Sequence, residues 1–198
     1  MGRTNSDHTQ KIYLNIVGGK FAERVTKDTQ GAVKRFSEKK QADVWEILNE
    51  KTSGMITKME IEKGDFGKQL VVTMKDMDET FLITIPVDSK YFDSFCAKIG
   101  NADLSKMIEL APYSFIPKNE TRKKMGMNLY QEGNKLGYFF SKEDPKGKPF
   151  PGDSTLSEDD WKIYKLQERK FYCEFIEKIM GHAPQKASPE QQVDDLPF

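Results

Sequence analysis

The sequence is poor in the side chains that most catalysis and metal binding need. Of its 198 residues two are histidine and two cysteine. His8 and His182 lie in the two polar segments least able to order themselves, so a histidine-based triad or metal site is not expected. Cys96 and Cys173 stand far apart within apolar patterns. Two cysteines cannot build a disulfide framework, and the expectation is buried, reduced thiols in a cytoplasmic protein. Cys-x-x-Cys, a phosphate loop and a glycine-rich dinucleotide turn are all missing. No apolar run approaches the ~18 residues a membrane-spanning helix needs. The polar stretch 1–10 reads as a disordered leader without a secretory signal. Its start, "MGRTNS", matches the N-myristoylation pattern through Gly2 and Ser6, but neither a polybasic patch nor a second lipid site accompanies it.

Acid groups at Asp76, Asp78 and Glu79, and at Glu143 and Asp144, have the chemistry to hold Mg²⁺ in a nuclease. They also sit at turns, where acids recur for local backbone reasons. No cofactor and no metal site is expected, and the chain does not read as an enzyme.

What is present is a soluble composition, 37% hydrophobic and 31% charged, with a formal net charge of zero. The zero hides an offset. Residues 1–150 hold 25 Lys and Arg against 21 Asp and Glu, whereas 151–198 hold 6 against 10. A mildly basic body with an acidic C-terminal part fits a body that meets polyanions and a tail that does not.

The body reads as mainly β with helices. "KIYLNIVGGKFAERV" is two runs joined by Gly18-Gly19, a hairpin dipeptide, and "AVKRF" and "DVWEIL" add strands. "GMITKMEIEKG" alternates Met55, Thr57, Met59 and Ile61 on one face with Ile56, Lys58, Glu60 and Glu62 on the other. Turns then lead to "KQLVVTMKD" and "TFLITIPV", an antiparallel meander. In "DSKYFDSFCAKIG" the period becomes helical through Tyr91, Phe92, Phe95 and Ile99, with Asp88 or Ser89 as cap and Gly100 as stop. Strands resume in "SKMIELAPYSFIP" and "MGMNLYQEGNKLGYFFS". Three strands, a helix and two strands is the element order of an OB-fold, a small five-stranded, partly closed barrel. The expected layout is this barrel over about 51–140, a β extension over 11–50, and an amphipathic helix over 157–181 packed on the barrel. A disordered tail follows over 182–198. Ser157 with Asp160 makes a capping box for that helix, Gly181 is its stop, and Trp161, Tyr164, Phe171, Tyr172, Phe175 and Ile179 form its apolar face, interrupted by Glu168.

Holding single-stranded nucleic acid without regard to sequence takes aromatic faces for bases and cations for phosphates. Both occur in the β region. Phe66 sits at a hairpin tip between Lys63 and Lys68. Tyr113 and Phe115 share one face of a strand that runs into "KNETRKK", where Lys118, Arg122, Lys123 and Lys124 form a basic loop. Tyr130, Tyr138, Phe139 and Phe140 surround the last hairpin, and Phe139 joins the candidate set with Tyr130. Phe81, Phe92 and Phe95 are assigned to the core.

The chain ends in "VDDLPF", after the polar, proline-containing stretch "HAPQKASPEQQ". Behind an OB-like body, this ending resembles the acidic tip of the single-stranded DNA-binding proteins of bacteria and their viruses. Matches at Asp194, Asp195, Pro197 and Phe198 arise by chance in about one chain in 10⁵ at roughly one in twenty per residue. The resemblance implies single-strand binding over 11–150 in DNA replication, recombination or repair. It also implies that Asp194, Asp195, Leu196, Pro197 and Phe198 recruit a polymerase, helicase, primase or nuclease. A monomer or small homo-oligomer working in the cytoplasm, that of a bacterial host if the chain is viral, is the implied setting. The extension over 11–50 and the long helix before the tip depart from the bacterial pattern and favour a phage protein. The alternatives are an interaction adaptor whose barrel binds no DNA, and a Mg²⁺-dependent nuclease.

Overall fold

The computed structural model describes residues 10–38, 40–64, 67–151 and 156–182. The fold is mainly β with two helices. The first four strands are β1 (Gln10–Val17), β2 (Lys20–Val25), β3 (Val33–Ser37) and β4 (Ala42–Asn49). A meander of β5 (Thr52–Gly64), β6 (Gly67–Asp76) and β7 (Glu79–Pro86) leads to helix α1 (Lys90–Ile99). After it come β8 (Ile108–Phe115), β9 (Lys124–Gln131), the two-residue β10 (Asn134–Lys135) and helix α2 (Glu158–His182). The strands join in one mixed sheet of order β10-β9-β8-β5-β6-β7-β1-β2-β4-β3. β1 and β7 pair in parallel, and the other pairings are antiparallel.

Local chemistry accounts for much of this. Gly18 and Gly19 both adopt positive φ, 59° and 84°, as the two-residue turn between β1 and β2 requires. Gly19 also sits so close to β8 that a Cβ there would run into the backbone of Tyr113 and Ser114. Ser89 caps α1 by accepting the Phe92 amide. Gly100 ends α1 in right-handed conformation, φ −63°. What requires glycine there is the Phe139 ring, which occupies the space a Cβ would take. Ser157 Oγ accepts the Asp160 amide, the N-cap half of the expected capping box, and donates to the Asp160 carboxylate.

Four expectations are corrected. The alternation of β5 breaks at Thr57, an extra residue between the pairs Ile56↔Met74 and Lys58↔Thr73. The bulge turns Ile56 and Met59 inward together and leaves Met55 exposed. Closure of a five-stranded barrel is not seen: β9 pairs with β8 and β10, and the outer edge of β7 is taken by β1. The last hairpin keeps only two residues of its return strand. Gly181 does not stop α2, which is helical through His182.

The core is continuous across both ends of the sheet, from Leu14 and Phe21 through Val72, Ile83, Phe92 and Phe95 to Leu110, Met127 and Leu129. Phe92, Phe95 and Cys96 are fully buried, Phe81 packs at the core margin, and both cysteines are free. α2 lies on α1 and β5, burying Tyr172 and Ile176. The N-terminal half of its expected apolar face stays open, with Trp161 45% exposed. Glu168, buried in that face, is held by Lys148 at 2.8 Å, by Lys165 and by the Tyr164 hydroxyl at 2.9 Å. No helix among the described residues is long and apolar enough to cross a membrane.

Candidate nucleic-acid interface

The outward face of β8 and β9 gathers several of the expected residues. Tyr113 stands opposite Gly126, and Phe115 opposite Lys124. The Tyr113 ring lies over Gly126, where a Cβ would meet its hydroxyl. Phe115 is 52% exposed with its ring centroid 5.9 Å from that of Tyr113. The connection between the strands carries Lys118, Arg122 and Lys123, all exposed and in no ion pair with a described residue, while Lys124 is tied to Glu120 at 2.6 Å. Tyr130 lies half-buried further along β9, opposite Glu109.

The aromatic run after β9 divides in a way its sequence does not announce. Phe140 is buried among Phe171, Tyr172 and Phe175 on α2. Phe139 stacks on Phe175 at 5.6 Å, fills the space beside Gly100 and is covered by the Lys146 ammonium at 4.4 Å. The ring left open is Tyr138, 72% exposed. It is therefore Tyr138, and not Phe139, that the fold leaves available as a stacking face.

Beneath Tyr138, at 5.6 Å from its centroid, is the ammonium of Lys98, a residue only 5% exposed. It donates to the carbonyl of Met127 at 2.6 Å, beside Ser94, whose hydroxyl also donates to that carbonyl. α1 thus caps the outer edge of β9, which β10 pairs only at Tyr130 and Gln131. Burial, followed by the nearby Lys135, pulls the Lys98 pKa down. Burial likewise pushes up the Tyr113 hydroxyl, with Tyr138 adding and Ser94 opposing.

Lys63 and Lys68 face each other across the end of the β5–β6 hairpin, whose tip residue Phe66 is outside the described residues. Lys68 lines a cavity of about 560 Å³ against α2, together with Val87, Arg169, Lys170, Cys173 and Glu177. Asp194, Asp195, Leu196, Pro197 and Phe198 also lie outside the described residues.

Two exposed aromatics fall outside the sequence candidates, Phe36 on β3 and Tyr13 on β1. Tyr13 on β1 is 64% exposed. Strict alternation in "KIYLNIV" already separates Ile12, Leu14 and Ile16 from Lys11, Tyr13 and Asn15, and the structure buries Ile12 and Leu14 as that pattern requires. Among the described residues no three His, Cys, Asp or Glu side chains gather as a metal cage would need. Asp144, one of the acids weighed for Mg²⁺, is tied to Lys146 at 2.6 Å. No protein-family model, curated protein or solved structure matches the chain.

Proposed function

We propose that this protein binds single-stranded DNA without reading its sequence and uses its C-terminal tip to recruit proteins of DNA replication, recombination or repair. The observation that carries the reading is the outward β8–β9 surface, where the rings of Tyr113 and Phe115 meet at the start of a loop whose exposed Lys118, Arg122 and Lys123 form no ion pair with a described residue, together with the exposed Tyr138 after β9. Rings and cations together are what a sequence-tolerant single-strand binder needs.

The strand path supports an OB-like reading of the region from 52 to 131. β5, β6 and β7 form a meander, α1 follows, β8 returns to pair antiparallel with β5, and β9 pairs with β8. On that reading the β5–β6 turn, with Lys63 and Lys68, and the β8–β9 loop are the two loops that flank ligand in such folds. The parallel partner of β7 comes from the N-terminus, as β1, in place of the barrel's last strand. The tip residues Asp194 to Phe198 rest on the resemblance alone. In this proposal the Phe198 ring fills an apolar pocket on the partner and the acids meet its cations.

The test is fluorescence anisotropy with labelled oligo-dT, mixed-sequence and duplex oligonucleotides at two salt concentrations. Salt-sensitive binding to both single strands, with weak duplex binding, is expected. Failure to bind any single strand at low salt would overturn the proposal. The exposed Trp161, Ile163 and Leu166 on α2 favour the adaptor as the second reading. That reading predicts no DNA affinity for a Phe115→Ala change to reduce.

A further inference from the structure

β1 and β2 lie beyond the five strands of the OB-like path, yet their outward face continues that of β6 and β7. Thr73 pairs with Leu82, and Leu82 with Tyr13. Leu14 pairs with Glu23, so Arg24 comes alongside Tyr13 on the outward side. One row nearer the start of β1, Lys75 and Lys11 flank Thr80 from either side. The open Tyr13 ring, the half-buried Leu82 and Thr73 beside it and three cations around it share one surface, with Thr80 buried between Lys75 and Lys11. Lys11, Arg24 and Lys75 form no ion pair with a described residue. The acids of this outward face on β5, Glu60 and Glu62, lie three strands from Tyr13 in the sheet order, and Glu60 is tied to Lys58 at 2.7 Å. Glu46, on β4, is occupied by Arg35 in a two-pronged pair.

The β1–β2 turn joins this face to the surface described above. Gly19 is pressed against the backbone of Tyr113 and Ser114, so the outer surface of the hairpin runs on to that of β8. Tyr13 lies six residues back from Gly19, or about 20 Å at ~3.3 Å per residue. That separation fits within the ~4–16 nucleotides a fold of this kind covers.

Resting on the single-strand reading, we propose that the N-terminal hairpin provides a second stacking platform, centred on Tyr13, for the same DNA strand that Phe115 and Tyr113 engage. The β extension then acts as part of the binding face, and the strand crosses the β1–β2 turn between two aromatic stations. Lys11, Arg24 and Lys75 hold the phosphates on either side of the Tyr13 base.

The experiment measures affinity of the full chain for oligo-dT of increasing length, from about 5 to about 20 nucleotides, in the range of such sites. Tyr13→Ala is expected to weaken binding of the longest oligonucleotides roughly 5- to 150-fold, the worth of one stacked base. It should leave the shortest unchanged, whereas Phe115→Ala should weaken all lengths and Tyr13→Phe should restore the long ones. Replacing Lys11, Arg24 and Lys75 by alanine should flatten the slope of log affinity against log salt by about 2, at ~0.7 per contact. If wild-type protein binds and folded Tyr13→Ala matches it at every length, the platform is refuted and the single-strand reading stands. If wild-type protein binds no oligonucleotide at low salt, both fall.

Discussion

Two aromatic surfaces of this molecule invite comparison. Phe139, Phe140, Phe171, Tyr172 and Phe175 form a closed cluster, with Lys146 over one ring and Lys148 near others. Tyr113, Phe115 and Tyr138 form an open one, also with lysines at hand. In composition the two are nearly alike. The difference is that α2 lies across the first, whereas in the second Phe115 and Tyr138 stay exposed and Tyr113 is only half-buried. An aromatic beside a cation is therefore not yet a binding site; what decides is whether another element of the same chain has already taken the ring's face.

The comparison can be broken most severely from the closed side. Lys148→Met leaves the buried Glu168 with Lys165 and the Tyr164 hydroxyl but without its buried cation, and should destabilise the fold by up to about 3 kcal/mol, read by urea unfolding. A double change with Glu168→Leu should recover most of that loss. If Lys148→Met alone is neutral, the ion pair does not hold α2 down. A smaller effect is expected from Gly100→Ala, which drives a methyl into the Phe139 ring. About 1–3 kcal/mol of destabilisation should result, with DNA affinity little changed.

Acid sharpens the contrast in another way. Burial alone would raise the Glu168 carboxyl, but Lys148 and Lys165 outweigh it and the net shift is downward. A carboxyl lowered in the folded state contributes stability above its ordinary value of 4.5, and that contribution disappears as pH falls through the folded value. Melting temperature should therefore drop more steeply below pH 4.5 in wild type than in the Lys148→Met, Glu168→Leu pair. The smallest stability effect belongs to the open surface. Phe115→Ala should move stability by less than about 0.5 kcal/mol while costing roughly 1–3 kcal/mol in single-strand affinity. A loss of stability equal to the loss of affinity would place Phe115 with the closed cluster.

Much of this organisation was legible in the sequence because it is local. Gly18-Gly19, the Ser89 cap and the Ser157–Asp160 box each depend on a few adjacent residues, and each forms as expected. The bulge at Thr57 was not legible, since an unbroken alternation and one interrupted by an extra residue read alike until a partner strand fixes the register. Which of Tyr138, Phe139 and Phe140 stays open depends on α2, twenty and more residues later in the chain. The pairing of β1 with β7 was hidden for the same reason: strand edges carry no sequence label for their distant partners. For the interface, the basic loop after Phe115 was legible from charge alone. Tyr13 shows in the alternation of its strand, but nothing adjacent in sequence, neither a turn nor a basic run, marks its face as one for a ligand.

The parallel pairing of β1 with β7 also has a consequence in time. Leu14 pairs with Ile83, and a ribosome adding about 5–20 residues per second takes roughly 3–14 s to travel between them. During that interval β2 can already pair with β4, but the other edge of β1 has no partner, and Ile12, Leu14 and Phe21 wait for the core that the meander completes. Once β7 emerges, it needs β1 at once, because its own outer edge is otherwise a bare row of backbone groups open to a neighbouring chain. β1 thus waits for a partner made about seventy residues later, and its arrival is what protects the meander from its own copies.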